Sequence, residues 1–324
     1  MIKNMWTNGV LGVVVGDALG EPVQFESRTE VAQHPINGMR GYGTFNLPEG
    51  SWTDDSSLTL ALLDSLNRKG RVDLIDIMDN FVDWLKLGKF TPYGYSYDIG
   101  RGTMNAIIAY DHGKNVEECG GRDERNNGNG SLMRIMPICL YCIEHGYGVA
   151  EAIETIHAVG SLTHAHIRAN IACGLYYFMA KAIVEDDGTL IEHMRRGLDK
   201  GFAYYENMLT DITELDNYKR IRNLDEFAKT AVSDIRSSGY VVDTLEASVW
   251  SLITTYSYKT ALLTAVNLGL DTDTVGAVTG GLAGLFYGCG GDFGIPTEWI
   301  NQVKRIDWIK KQCDVADKRM GAEQ

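Results

Sequence analysis

The sequence predicts an all-α fold, and three observations support that prediction. Apolar residues recur at helical spacing along most of the 324-residue chain. Alternating strand patterns are almost absent, and residues 240–242 are the only brief candidate for a strand. The chain has 36 glycines and 6 prolines, which suits helices joined by tight turns. We therefore expect one all-α domain over residues 1–324.

The helices are predicted from apolar stripes and from their stop signals. The first begins near Ser56 and ends at Gly70, and Leu58, Leu62 and Leu66 lie on its apolar stripe. Further helical patterns cover residues 73–87, 104–110, 132–144, 150–159, 167–184, 190–208, 245–256, 259–268, 275–286 and 299–310. Loops are predicted at the glycine-rich residues 38–43, 93–102 and 120–130, and a solvated loop at the polar residues 211–225.

Charge and hydropathy exclude several classes of partner. The chain carries 43 acidic and 30 basic residues, a net charge of -13. A chain this acidic has no broad basic surface, which argues against binding a nucleic-acid backbone or an anionic membrane. The apolar residues 10–15 and 275–289 are too short for a membrane span, and Asp17 interrupts the first stretch. We expect a cytoplasmic protein.

The six cysteines are scattered and do not form a disulfide framework, as expected in a reducing compartment. Cys139 and Cys142 form a C-x-x-C pair inside an apolar helical run, with no preceding strand and no second pair. Packing within a buried helix is therefore favoured over a redox or zinc role.

Two acidic clusters each precede a predicted helix. They are residues 51–55 (SWTDD) and 270–274 (LDTDT). Helix capping alone explains one such side chain at each helix start, and this interpretation stays open. Each terminus, however, carries two carboxylates, which are costly to ionise together unless a cation is near. If the two termini face each other, they supply an all-oxygen shell for Mg²⁺, Mn²⁺ or Ca²⁺.

Two further patterns are candidates for substrate contacts. Residues 126–134 (NNGNGSLMR) lead into a predicted helix, and their glycines leave backbone N–H groups free for phosphate. P-loop and dinucleotide-binding glycine patterns are both absent. His164 and His166 do not share a helical face, so they make a poor metal pair, and a structural role and a substrate contact are equally open for them.

Taken together, these patterns resemble the ADP-ribosylglycohydrolase family. The matching stretches occur in the family's order and are residues 16–20 (GDALG), 52–55 (WTDD), 98–100 (DIG), 128–134 (GNGSLMR), 162–164 (LTH), 239–245 (GYVVDTL) and 271–274 (DTDT). The resemblance implies an all-α orthogonal bundle with a central cleft that holds two divalent ions, Mg²⁺ or Mn²⁺. The implied metal ligands are Thr53, Asp54, Asp55, Asp271, Asp273 and Thr274.

The resemblance also implies where an ADP-ribosylated substrate binds. The diphosphate is expected at the backbone of Gly128, Asn129, Gly130 and Ser131. His164 is expected near the ribose, and Gly239 and Tyr240 on the nucleoside side. We expect the protein to be a monomer. A nucleic acid is expected as a partner only if it is itself the ADP-ribosylated substrate.

The implied reaction is hydrolysis of the glycosidic bond between ADP-ribose and an acceptor: a protein side chain, a nucleic acid or a small conjugate. Asp55 and Asp273 are alternative general bases, and Asp98 is expected beside the leaving group. Family members commonly carry glutamate where this chain has Gln24, and Glu21 and Glu26 are out of register with that position. Gln24 therefore leaves open which linkage is cleaved, or how fast, more than it affects the expected binding of ADP-ribose.

Two other functions remain as alternatives. The first is a non-catalytic ADP-ribose binder or a structural, crystallin-like protein. The second is an aspartyl phosphohydrolase, because residues 271–274 match its D-x-D-x-T signature. The stretch before Asp271 has no strand pattern, and too few residues follow it for a parallel sheet, so the second alternative is weak.

Overall fold

The computed structural model describes residues 3–322, with side chains through residue 319, and the predicted all-α class is confirmed. The α-helices are α1 Met5–Gly20, α2 Arg28–Val31, α3 Asp54–Lys69, α4 Leu74–Leu87, α5 Arg101–Asp111, α6 Met136–Glu144, α7 Val149–Ser161, α8 Ile167–Glu185, α9 Leu190–Met208, α10 Leu224–Phe227, α11 Val241–Ile253, α12 Tyr258–Val266, α13 Thr272–Tyr287, α14 Thr297–Gln302 and α15 Ile306–Ala322. The described residues contain only isolated β-bridges and no sheet.

An antiparallel pair, α1 and α13, forms the centre of the fold. A Cβ on Gly12 would lie against the carbonyl oxygen of Gly280, and one on Gly16 against that of Gly276, so the two backbones touch at every fourth residue. The pairing brings the end of α1 to the start of α13, where the Thr272 hydroxyl donates to the Gly20 carbonyl at 2.8 Å. The second acidic cluster is thereby held beside the last turn of α1.

Helix α3 is capped by a residue that is distant in sequence. The Asp17 carboxylate accepts hydrogen bonds from the backbone N–H groups of Thr53, at 3.0 Å, and Ser56, at 2.9 Å. These are free donors of the first helical turn, which a side-chain oxygen normally satisfies. As predicted, α3 ends at Gly70, which adopts the left-handed conformation with φ 63°. Asp17 thus fixes the first acidic cluster to α1.

Two predicted elements are wrong. Residues 240–242 are not a strand: α11 begins at Val241, and Tyr240 is its extended N-cap, bridged to Gly128. The helix predicted over residues 299–310 is broken between α14 and α15, where Arg305 adopts φ 56°. At that break the N–H of Lys304 donates to the Gly50 carbonyl, a tertiary contact that periodicity does not reveal.

The polar stretch 211–225 is not a solvated loop. It forms a 3₁₀ segment, Ile212–Arg222, followed by the start of α10. Leu215, Tyr218 and Ile221 are buried, and the Tyr218 hydroxyl donates to the Arg168 carbonyl at 2.7 Å. These three apolar residues recur every third position and form a buried face. The prediction of a loop was wrong because it considered the many charged residues and not this spacing.

The cysteine prediction is confirmed, because Cys139 and Cys142 are free thiols buried in α6. Helix α6 begins at Met136 and not at residue 132, since Pro137 sits in its first turn, where its fixed φ and missing N–H are tolerated. Among residues 3–322, no helix combines the length and apolar character needed to cross a membrane.

Candidate active site

The two acidic clusters meet at the start of α3 and α13. The Thr53 hydroxyl lies 3.3 Å from Asp273 Oδ2 and 3.2 Å from Asp55 Oδ2. The Thr274 hydroxyl donates to Asp55 Oδ2 at 3.4 Å. The structure therefore brings together residues that are about 220 positions apart in sequence.

The clustered carboxylates are buried, and several of their oxygens are unsatisfied. Asp55 Oδ1 and Asp273 Oδ1 have no hydrogen-bond partner among the described residues. Burial raises the pKa of Asp54, Asp55 and Asp273 well above the usual range, and the neighbouring carboxylates raise it further. Unpaired buried oxygens of this kind need either protons or a cation.

Asp17 belongs to this cluster, although we did not single it out as a site residue from the sequence. Burial raises its pKa to about 6, while hydrogen bonds from Ser56 and Thr53 act in the opposite direction. The available signal was an acidic residue in the middle of an apolar helical run. Glu21, one turn further on, is also buried, has an unpartnered Oε1 and has a pKa raised to about 8 by burial and by Asp17.

Asp98 and Gln24 lie at the edge of the cluster. Burial raises the pKa of Asp98, and hydrogen bonds with Asp273 and Gln24 act in the opposite direction. Gln24 is buried and hydrogen-bonded to Asp271 as well, yet its Oε1 has no partner in the described part of the chain. The loop after Asp98 also contacts the cluster, because the backbone of Gly100 hydrogen-bonds to Asp54.

The side chain of Asn129 contacts the second acidic cluster, a contact that was not predicted from the sequence. Its side-chain amide donates to Asp271 Oδ2 at 2.6 Å and to the Thr244 hydroxyl at 2.9 Å. The side chain therefore orients a carboxylate of the second cluster. Its backbone remains part of the glycine-rich loop, whose N–H at Asn129 donates to the Gly239 carbonyl.

The glycine-rich loop surrounds the imidazole of His164. A Cβ on Gly130 would lie 2.6 Å from His164 Cε1 and 2.9 Å from the Thr103 hydroxyl. A Cβ on Gly102 or Gly128 would also approach His164 Nε2. Because α6 begins at residue 136, this loop does not lead directly into a helix N-terminus, as the sequence had suggested. The N–H groups of Gly128 and Gly130 have no acceptor among residues 3–322.

The hydrogen bonds behind His164 favour one tautomer of its ring. Arg134 can only donate, and its guanidinium donates to the Thr163 hydroxyl at 2.8 Å. The Thr163 hydroxyl proton is then directed to His164 Nδ1, 2.8 Å away, its one acceptor in the described part of the chain. Burial lowers the pKa of His164 to about 3, so the ring is neutral near pH 7. This arrangement favours the tautomer in which His164 presents Nε2–H to the cleft as a donor.

Arg134 is a buried cation behind the glycine-rich loop. It also donates to the Gly130 carbonyl and packs over the Phe81 ring at 5.1 Å. It forms no salt bridge among the described residues, and burial lowers its pKa to about 10. This end of the cleft thus carries positive charge and free N–H donors.

Two predicted binding residues lie away from the cleft surface. Ser131 is fully buried, with its hydroxyl 3.6 Å from Cys173 Sγ. The Arg168 guanidinium lies over the Tyr240 ring, 5.9 Å from the centroid of that ring. The adjacent Gly239 lines the cleft itself.

A second group of possible ligands lies near Tyr240. Glu124, His166 and Glu214 each place one ligand atom within 4.8 Å of the others. Arg168 donates to Glu124 at 2.7 Å and to Glu214 at 2.8 Å. Both carboxylates are therefore already paired with a cation, which makes the aspartate cluster the better metal candidate.

The cleft has a volume of about 440 Å³ and joins these two ends. It is lined by Asp54, Asp98, Asp271 and Thr274 at one end and by Gly128, Gly130 and His164 at the other. Carboxylates at one end and free N–H donors at the other are compatible with a hydrolase that acts on a glycosidic bond in an anionic ligand. Comparison with known proteins then specifies the family.

Residues 4–324 match the ADP-ribosylglycohydrolase family, and the chain belongs to it. It is 31% identical over 302 residues to the ADP-ribosylarginine hydrolase Tri1 of Pseudomonas putida, covering 93% of this chain and 75% of that protein. It is 30% identical over 308 residues to the ADP-ribosyl-[dinitrogen reductase] glycohydrolase of Rhodospirillum rubrum, covering 94% and 92% of the two chains. The protein is a glycohydrolase that cleaves ADP-ribose from an acceptor.

A solved structure described as an ADP-ribosylglycohydrolase-related protein complex has the same fold. Its TM-score is 0.76 at 28% identity, and the match covers 98% of both chains. The fold and the sequence therefore point to the same family.

Proposed function

We propose that this glycohydrolase uses two divalent cations, Mg²⁺ or Mn²⁺, to remove ADP-ribose from arginine side chains. The observation that carries the metal is the set of buried, unpartnered carboxylate oxygens on Asp55 and Asp273. Hard divalent cations bind such oxygen ligands, and the residues present fit them. The proposed ligands are Thr53, Asp54, Asp55, Asp271, Asp273 and Thr274. Asp17 holds Thr53 in place by accepting a hydrogen bond from its hydroxyl.

Bound cations would supply Lewis acidity at the ribose and a lower pKa for the attacking water. In the hydrolysis, a water oxygen bonds to the anomeric carbon while the bond from that carbon to the acceptor nitrogen breaks. Asp55 or Asp273 accepts the water's proton, since each has a free oxygen in the cluster. Asp98 lies beside the cluster, where it orients the departing acceptor or returns a proton to it.

The glycine end of the cleft is proposed to hold ADP-ribose itself. The free N–H groups of Gly128 and Gly130 donate to the diphosphate, and the buried charge of Arg134 stabilises it from behind. His164 Nε2–H donates to the ribose side of the ligand. The nucleoside lies toward Gly239, with Tyr240 and Arg168 as the wall behind it.

Arginine is proposed as the acceptor on two grounds. One similar protein is named an ADP-ribosylarginine hydrolase. The chain also has a net charge of -13, which favours a cationic acceptor segment over a neutral one. Gln24 provides an amide oxygen but no base, so we expect slower turnover than a glutamate would allow.

A panel of substrates tests this function. Arginine-, serine- and nucleobase-linked ADP-ribose are compared for ADP-ribose release, each with Mg²⁺, with Mn²⁺ and with EDTA. We expect release from the arginine-linked substrate that EDTA abolishes. Release only from another linkage would contradict the arginine assignment, and release unaffected by EDTA would contradict the metal.

We further propose that residues 1–324 form one domain, because α1 contacts both α13 and α15 and the family match spans nearly the whole chain. We also propose that the protein is a monomer and that it is located in the cytoplasm. Size-exclusion chromatography with light scattering tests the oligomeric state.

A further inference from the structure

Two apolar residues beside the carboxylate end adopt an unusual backbone conformation. Phe25 has φ 69° and Leu270 has φ 65°, although neither is glycine. They stand immediately after Gln24 and immediately before Asp271. Left-handed backbone at bulky residues is strained, and such strain is concentrated at binding and catalytic sites.

Hydrogen bonds hold these two residues together. The N–H of Phe25 donates to the Leu270 carbonyl at 2.6 Å, and the N–H of Leu270 donates to the Glu26 carbonyl at 2.7 Å. Despite this fixed backbone, the Phe25 side chain is 63% exposed and that of Leu270 is 44% exposed. The strain therefore does not serve core packing, and it presents two apolar side chains to solvent.

Phe25 is also the first ring of an aromatic row. Its centroid lies 6.3 Å from that of Phe45, and Phe45 lies 5.4 Å from Tyr97. Tyr97 lies 6.1 Å from the half-exposed Tyr95. The row is anchored to the site because the Tyr97 hydroxyl donates to the carbonyl of Trp52, the residue before Thr53.

The position of Phe25 in the cleft indicates which part of the substrate it meets. Phe25 lines the cleft next to Gln24, Asp54 and Asp98. If ADP-ribose extends from the glycine end to the carboxylates, its anomeric carbon lies at the carboxylates. The acceptor attached to that carbon then continues past Gln24 toward Phe25.

The chemistry of this surface favours a guanidinium. Aromatic faces attract planar cations, and arginine stacks on them more often than lysine does. The net charge of -13 favours a cationic segment over an acidic one.

We propose that Phe25, backed by Phe45, Tyr97 and Tyr95, forms an acceptor lip that binds the arginine side chain of the ADP-ribosylated protein and the residues next to it. This inference rests on the proposed function, and it makes Phe25 a determinant of acceptor specificity.

The test is Phe25→Gly, compared with Phe90→Gly. Glycine adopts a positive φ without strain, so Phe25→Gly removes the ring and relieves the backbone together. Phe90 has φ 61° but packs on Trp308, away from the cleft, so Phe90→Gly relieves the same kind of strain as a matched control. Kinetics are measured on an arginine-linked ADP-ribosyl peptide, and binding on free ADP-ribose.

We expect Phe25→Gly to keep or raise the thermal midpoint while KM for the arginine-linked peptide rises roughly 3- to 30-fold, the range of a cation–π contact. The affinity for free ADP-ribose should not change, and Phe90→Gly should match the wild type in kinetics. An unchanged KM in folded Phe25→Gly would overturn the lip, as would an equal loss on a serine-linked peptide.

If the wild type hydrolysed no arginine-linked substrate, the proposed function would fail. The lip would then be tested by binding alone, with the affinity for the arginine-linked peptide compared with that for ADP-ribose. A wild-type preference for the peptide that Phe25→Gly abolishes supports the lip, and equal affinities overturn it.

Discussion

The two ends of the cleft are built on opposite principles. At the carboxylate end, Asp55 and Asp273 carry unpartnered oxygens and raised pKa values, so this end is incomplete without a cation or protons. At the glycine end, hydrogen bonds link Arg134 to Thr163 and Thr163 to His164, and the positive charge is part of the chain. One end is thus completed by its ligand, and the other is preorganised before the ligand arrives.

The largest effect is expected at the end that needs a ligand. Asp271→Asn removes a charge from the proposed metal site, and we expect activity to fall by roughly 10²-fold or more. The rise in thermal midpoint caused by Mg²⁺ or Mn²⁺ should largely disappear, because a cation bound only by the native state stabilises it by mass action. Calorimetry with and without metal measures the shift.

Asp243→Asn is the matched control for this variant. Asp243 lies in the first turn of α11 and accepts a hydrogen bond from Ser238, outside the aspartate cluster. It should retain both the metal shift and the activity. A full metal shift in Asp271→Asn would remove that residue from the metal site.

At the preorganised end, Thr163→Val should break the chain of hydrogen bonds to His164. The buried Arg134 loses an acceptor, which costs about 1–3 kcal/mol of stability. Without the threonine proton at Nδ1, His164 no longer has a fixed tautomer, so ADP-ribose affinity should fall roughly 10-fold. Imidazole ¹⁵N NMR of the ligand-free protein reports the tautomer directly.

Thr163→Ser keeps the hydroxyl and should retain the Nε2–H tautomer. The half-buried His157, whose Nε2 is 2.8 Å from the Tyr205 hydroxyl, serves as an internal reference in the same spectra. If wild-type His164 carried its proton on Nδ1, the argument for a donor in the cleft would be wrong.

A smaller change is expected at Gln24, on the border of the carboxylate end. Gln24→Glu adds a group that accepts protons, and hydrolysis of the arginine-linked substrate should speed up at least several-fold. Metal binding should strengthen only modestly, since the aspartates already supply most ligands. If both proteins turn over every linkage at the same rate, position 24 takes no part in the chemistry.

The effect with the least bearing on activity is the pH dependence of stability in the metal-free protein. Burial raises the pKa of Glu21 from 4.5 to about 8, so the native state holds a proton that the unfolded chain has lost. Its stabilising contribution is complete below pH 4.5 and declines as the pH rises to about 8. The thermal midpoint should therefore fall by several degrees across this range, at roughly 1.4 kcal/mol per pKa unit.

Glu21→Gln should flatten that decline, and Mg²⁺ should reduce it in the wild type by neutralising the neighbouring carboxylates. Thermal melts at matched ionic strength from pH 4.5 to 8 measure both effects. A midpoint that rises with pH in the metal-free wild type would contradict the buried, protonated state of Glu21.

By itself, the sequence determined most of the helices and the chemistry of the two clusters. The central helix α1 was not predicted, because nearly all of its residues are buried and it shows no one-sided apolar stripe. Helices such as α3 and α9 were predicted closely, because their apolar stripes and their caps are local signals. The surplus carboxylates at residues 51–55 and 270–274 indicated a cation for the same local reason. The resemblance to the family then gave the substrate class, which the comparisons confirm.

Only the tertiary structure decided which groups complete the site. Asp17 became part of it because glycines let α1 and α13 touch and bring the end of one helix to the start of the other. The tautomer of His164 depends on Arg134, which lies 30 residues earlier in the chain. Periodicity records the face that a helix buries, whereas these contacts depend on distances between segments that a single sequence does not contain.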